Sequence, residues 1–119
     1  MKKFLKSFHY AFNGIAYALR TQLSFQIECF ATISVVILGW SVGLSNMEWL
    51  WISLAIAIVL LLELLNTAIE VLVDLISPQF HPKAGVIKDV ASGAVLIGAL
   101  FSLIVALVVF VPKLLEYAS

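Results

Sequence analysis

Glu63-Leu-Leu-Asn66-Thr67-Ala-Ile-Glu70-Val-Leu-Val-Asp74 puts three carboxylates and an amide inside, or at the end of, a hydrophobic segment long enough to cross a membrane. Positions 63, 66, 67, 70 and 74 are separated by intervals such as three, four and seven. At about 100° per residue they share one helix face, within an arc of roughly a third of a turn. Burying an acid in a bilayer segment costs at least about 2.5 kcal/mol. Three acids on one stripe therefore point to chemistry, with a polar seam that glues helices together as the alternative.

The rest of the chain agrees with a membrane setting. Of 119 residues, 63% are hydrophobic and 12% charged, and the mean hydropathy is +1.12. This composition predicts an all-α integral membrane protein with a single membrane domain over residues 1–119. Zero net charge gives no sign of a nucleic-acid partner. The lone Cys29 excludes an intrachain disulfide and reads as a small buried hydrophobe. No internal repeat is visible.

Working outward from the stripe, the chain divides into a surface helix and three spans. Phe4, Phe8, Phe12, Ile15, Leu19 and Leu23 recur with a helical period, while Lys2, Lys6, His9, Asn13 and Arg20 take the opposite side. This predicts an amphipathic helix over residues 1–25 lying in the membrane surface. Spans are predicted over 27–44, 49–76 and 90–111, near or above the ~20 residues a crossing requires. Ser45 to Glu48 reads as a tight turn, and 77–89, with Pro78, Pro82 and Gly85, as a polar loop.

Lys2, Lys3, Lys6 and Arg20 precede the first span, and Lys83 and Lys88 follow the second. The positive-inside rule puts the N-terminus and the 77–89 loop in the cytoplasm. Trp40, Trp49 and Trp51 then form the outer aromatic belt. From Trp49 to Glu63 is about 21 Å along a helix, so Glu63 lies in the inner third of the bilayer. Glu70 and Asp74 follow toward the cytosol. This depth suits chemistry between a lipid headgroup and a cytosolic solute.

Three spans and one surface helix cannot enclose such a stripe, so an oligomer is expected. Ala91, Ser92, Gly93, Ala94 and Gly98 give the third span small residues that let backbones approach closely. In the cytosolic loop, Lys88 can meet phosphate oxygens while Asp89 orients it or binds a ribose. Snorkelling by Lys88 and a helix-end role for Asp89 are the plainer readings. There is no Walker A or GxGxxG sequence.

Three stretches carry a resemblance: Tyr10-Ala-Phe-Asn-Gly14, Glu63-Leu-Leu-Asn-Thr-Ala-Ile-Glu70 with Asp74, and Lys88-Asp-Val-Ala-Ser-Gly-Ala-Val-Leu-Ile97. With them the chain resembles, over nearly its whole length, the small prokaryotic diacylglycerol kinase family, which includes the undecaprenol kinases. The resemblance implies a homotrimer of three-span subunits that transfers the γ-phosphate of ATP to a lipid alcohol. It also implies Mg²⁺ and active sites shared between subunits. It assigns Glu63 as the general base for the lipid hydroxyl, Asn66 as the group that orients it, and Glu70 as a ligand of the Mg²⁺ on ATP. Tyr10, Gln79, Phe80, His81, Lys88 and Asp89 fall at nucleotide positions, and Ser92 near the lipid substrate. Lys3 occupies a position where relatives can carry arginine.

Two departures stand out. Gln22 replaces a glutamate that would share the nucleotide's metal with Glu70, and Ser24-Phe25-Gln26 replaces an Asn-Phe-Arg-like segment. The amide oxygen of Gln22 is still expected to face the Mg²⁺ beside Glu70; the plainer reading ends the helix near Thr21 and leaves Gln22 to headgroups or water. Glu28 matches an acid found in some members, where others carry histidine; Glu28 or the ATP phosphates themselves supply the missing charge. The expected activity is an ATP- and Mg²⁺-dependent lipid kinase of the bacterial inner membrane. Diacylglycerol is the expected acceptor and undecaprenol the alternative. A small transporter subunit using Glu63 and Asn66 is the rival of another class; it leaves the cytosolic cluster of Glu70, Asp74, Lys88 and Asp89 unexplained. A kinase-fold subunit without activity is a further rival, suggested by Gln22.

Overall fold

An amphipathic period in the first twenty or so residues, and long apolar runs after it, produce four helices and no strand. The computed structural model describes residues 1–119 as α1 (Lys2–Thr21), α2 (Leu23–Val42), α3 (Asn46–Ile76) and α4 (Pro82–Ala118). The last three are long and apolar enough to cross a membrane. α1 is amphipathic and buries only Ala18 against the others. Its Phe4, Phe8 and Phe12 stay exposed, as an in-plane helix facing lipid requires.

The molecule is a thin slab, 57 × 42 × 21 Å, in which α3 and α4 share the longest contact. Gly98 of α4 permits their approach: a Cβ there would come within 2.6 Å of Leu62 Cδ1. Ala91 is the other small residue buried at this contact, whereas Ser92 and Ala94 are exposed. The core sits at the outer end, where Ile52 and Ala55 of α3 meet Val105, Val109 and Phe110 of α4. A clasp closes that end. Lys113 pairs with Glu48 at 3.3 Å and donates to the Gly43 carbonyl at 3.2 Å. The inner half, which carries the acids, lacks such a core.

Six helix ends depart from the sequence reading, and the junctions between helices show why. The surface helix expected over 1–25 stops at Thr21, because Gln22 is extended (φ −113, ψ 108) and caps both α1 and α2. Gln26 stabilises the break by donating its Nε2 to Leu19 O at 2.7 Å, which satisfies a carbonyl left over at the end of α1. α2 therefore starts at Leu23 and ends at Val42 rather than spanning 27–44. Its end is set by Gly43, whose φ of 73 favours glycine.

The turn read over 45–48 is instead a helix start. Ser45 and Glu48 form a capping box, with Ser45 Oγ accepting from Glu48 N at 3.2 Å and Glu48 Oε1 from Ser45 N at 2.9 Å. The polar loop expected over 77–89 shrinks to 77–81, because Pro82 is well placed in the first helical turn and His81 caps it. α4 also runs past the expected end at 111, through Pro112 to Ala118. An interior proline removes one backbone donor and crowds the carbonyl four residues before it, and the overhang beyond it is tied down by Lys113 and by Tyr117, whose hydroxyl donates to Ser41 O at 3.4 Å.

Candidate functional site

The stripe on α3 lies where the fold has least core, and its members divide by depth. Glu63 is 4% exposed and Thr67 5% exposed. A buried carboxyl group needs hydrogen-bond partners, and Glu63 has one: Ser24 Oγ, on the first turn of α2, donates to its Oε2 at 3.0 Å. Glu63 Oε1 makes no hydrogen bond within the chain. Thr67 Oγ1 donates to the Glu63 carbonyl at 2.9 Å, which satisfies that hydroxyl inside its own helix.

One turn nearer the cytosol, Asn66 Nδ2 donates to Glu70 Oε1 at 3.2 Å. The carbonyl oxygen of the same amide, Asn66 Oδ1, is the one buried side-chain polar atom in the chain without a partner. An orphaned buried acceptor is costly, so this position suits an incoming donor or cation. Glu63 Oε1 and Asn66 Oδ1 are thus two oxygens with free capacity on successive turns of one helix face.

At the cytosolic end, Lys88 of α4 reaches back to Asp74 of α3, with Nζ 2.6 Å from Oδ1. The ion pair closes one wall of a cleft of about 260 Å³ that Gln79, Phe80 and His81 also line. Phe80 is 93% exposed. His81 Nδ1 accepts from Lys83 N at 3.1 Å, which fixes the ring at the start of α4. The structure therefore brings Gln79, Phe80, His81 and Lys88 together. Asp89 and Ser92 are exposed next to this group and make no side-chain hydrogen bond.

Tyr10 and Gln22 lie apart from the nucleotide end and from Glu70 within one chain. Tyr10 lines a separate apolar cleft of about 710 Å³ between α1 and α3, with Gly14, Ala18, Thr67 and Val71. Gln22 turns its amide to Thr21 Oγ1 at 3.4 Å and makes no hydrogen bond with Glu70. Glu28, one turn after Ser24 on α2, stands near enough to Glu63 for the two carboxyl groups to interact through their charge, and it borders a third cleft, between α2, α3 and α4, together with Thr32 and Ser102. No three of the His, Cys, Asp and Glu side chains are close enough to hold a metal ion by themselves. Ser24, which touches the most buried acid, was not among the expected site residues. Its only sequence signal was its place in the departing Ser24-Phe25-Gln26 segment.

Residues 9–110 match the family described as prokaryotic diacylglycerol kinase. The undecaprenol kinase of Bacillus subtilis (strain 168) is 46% identical over 114 residues, covering 96% of this chain and 93% of that protein. The diacylglycerol kinase of Synechocystis sp. is 38% identical over 113 residues, covering 94% of this chain and 65% of that longer protein. The diacylglycerol kinase of Escherichia coli (strain K12) is 28% identical over 102 residues, with 86% and 84% covered.

Proposed function

The chain belongs to the prokaryotic diacylglycerol kinase family, and on that premise we propose that it phosphorylates a polyprenol of the undecaprenol type, with ATP as donor and Mg²⁺ as the metal. Lipid-kinase activity in a multi-pass protein of the bacterial inner membrane follows from the family match and the three membrane-length helices. The acceptor is the finer step. Diacylglycerol, the acceptor expected from sequence, is the substrate named for relatives at 38% and 28% identity, while undecaprenol is named for the relative at 46%. That difference favours the polyprenol.

The observation that carries the mechanism is the pair of unsatisfied oxygens beside a buried acid, Glu63 Oε1 and Asn66 Oδ1. A lipid hydroxyl arriving there donates to Glu63, which takes its proton as the oxygen attacks the γ-phosphorus and the bond from that phosphorus to the β,γ-bridging oxygen breaks, releasing ADP. The cleft between α1 and α3 suits the hydrocarbon tail, since Thr67, one turn from Glu63, lines it and Gly14 leaves it open. Lys88, with Gln79, Phe80 and His81, forms the nucleotide end, with Asp89 beside it.

The donor set fits Mg²⁺, which takes hard oxygen ligands, keeps much of its water and uses one or two carboxylates plus substrate phosphates. Glu70 and the free Asn66 oxygen supply that chemistry on adjacent turns. When bound, the metal neutralises phosphate charge. Tyr10 and Gln22 join the site from a neighbouring subunit in the homotrimer we infer, whereas Glu28 stands beside Glu63 in its own chain. Only 14 of 119 residues are buried in one chain, which leaves broad helix faces for partners.

Purified protein incubated with γ-labelled ATP, Mg²⁺ and each lipid alcohol in turn tests this reading. Undecaprenol should be turned over with the higher kcat/KM. Preference for diacylglycerol overturns the acceptor assignment, and transfer to neither alcohol overturns the kinase reading.

The nucleotide end gives a separate prediction. Lys88→Ala should raise the KM for ATP about tenfold, the scale of losing one charge-assisted hydrogen bond, and leave the KM for lipid nearly unchanged. Steady-state kinetics in both substrates checks it. The reverse pattern would make Lys88 a membrane anchor.

A further inference from the structure

The junction between the surface helix and the first span delivers a hydroxyl to Glu63. Gln22 is extended and α2 begins at Leu23, so Ser24 occupies the first turn of α2. Its Oγ donates to Glu63 Oε2 at 3.0 Å, a contact between residues 39 apart in sequence. Two residues further on, Gln26 Nε2 donates to Leu19 O at 2.7 Å and locks the same turn to the end of α1. Phe25, between them, is 3% exposed and anchors the turn in the bundle. Ser24 is therefore held from both sides while it holds Glu63.

We propose that Ser24 is a positioning residue for Glu63: its hydroxyl pins Oε2, so that Oε1 alone faces the incoming lipid hydroxyl. The proposal rests on the reading of Glu63 as general base. A glutamate side chain has several rotatable bonds, and a carboxyl group with one fixed oxygen loses most of that freedom. Proton transfer requires the base within about 2.6–3.2 Å of the hydroxyl, and a misplacement of about 1 Å can reduce rate a hundredfold. Thr67 cannot substitute as the clamp, because its hydroxyl is already committed to the Glu63 backbone carbonyl. Asn66 cannot either, because its amide protons face Glu70. Ser24 is the only side chain in the chain that hydrogen-bonds the Glu63 carboxyl group.

The test is a double-mutant cycle on the full-length protein in vesicles containing undecaprenol. Lipid phosphorylation is measured for Ser24→Ala, Ser24→Thr, Glu63→Gln and the Ser24→Ala/Glu63→Gln pair. Ser24→Ala should lower kcat roughly tenfold with the KM for ATP unchanged, consistent with a displaced base. Ser24→Thr, which keeps the hydroxyl, should recover most of that loss. In the Glu63→Gln background, Ser24→Ala should cause no further decrease in residual turnover, since a residue that acts only through Glu63 has nothing left to position. Parental kcat in Ser24→Ala, with Glu63→Gln inactive, overturns the role of Ser24 and leaves Glu63 as the base. A loss that Ser24→Thr does not restore, or one of equal size in the Glu63→Gln background, also overturns it. Parental turnover in Glu63→Gln itself overturns the reading on which the proposal stands.

Discussion

Glu63→Gln is expected to remove lipid phosphorylation by more than ~10²-fold, the lower range for loss of a general acid–base group, while nucleotide binding and assembly stay intact. The substitution is nearly isosteric. The amide oxygen of glutamine can still accept from the Ser24 hydroxyl, which sits 3.0 Å from the carboxylate in the parent. Packing around a side chain only 4% exposed is therefore preserved, and what disappears is the group that takes the proton. A merely structural seam predicts the opposite. In that case the neutral amide relieves the cost of burying an acid in a bilayer segment, and activity survives or improves. Turnover of labelled phosphate into lipid, measured beside nucleotide binding on the same preparation, separates the two. Near-parental turnover removes Glu63 from the role of base.

Glu70→Gln should act through the metal rather than the acceptor. Its carboxylate accepts from Asn66 Nδ2 at 3.2 Å, and a glutamine keeps that hydrogen bond through its own carbonyl oxygen. The charge is what is lost. Mg²⁺ favours hard, charged oxygen ligands, so the Mg²⁺ concentration for half-maximal activity should rise at least roughly tenfold, the scale seen when even outer-shell partners of a metal are removed. A titration of activity against Mg²⁺ at fixed ATP reads this directly. An unchanged midpoint takes Glu70 out of the metal site. Gln22→Glu in the same titration locates the remaining ligand. In one chain the Gln22 side chain is turned to Thr21, so a lowered midpoint requires that it approach Glu70 across a subunit boundary. A midpoint equal to that of the parent leaves Glu70 in the site without Gln22.

Much of the architecture was readable because it follows from short-range rules. The amphipathic period of Phe4, Phe8 and Phe12, the apolar runs and the spacing of Glu63, Asn66, Glu70 and Asp74 are properties of residues a few positions apart. Helix geometry converts such spacings into faces. The helix ends were harder to place. Pro82 looked like a breaker and is the first residue of α4, while Ser45 and Glu48 looked like a turn and are a capping box. Proline, serine and glutamate have two local meanings each, and the choice depends on which backbone donors are left free nearby.

The sequence by itself determined that this is a helical membrane protein with an acidic stripe on one of its membrane-length helices, because the cost of burying charge in lipid acts on every residue wherever the chain goes. Only the tertiary structure decided what each acid touches. Ser24 meets Glu63 from 39 positions away and Lys88 meets Asp74 from 14 positions away. Tyr10 and the Gln79–His81 segment line different clefts. Those pairings depend on where the α1–α2 joint breaks and how closely α4 approaches α3 at Gly98. Neither is encoded in the periodicity of any one helix, because both arise from packing between helices whose relative positions are set by the whole bundle.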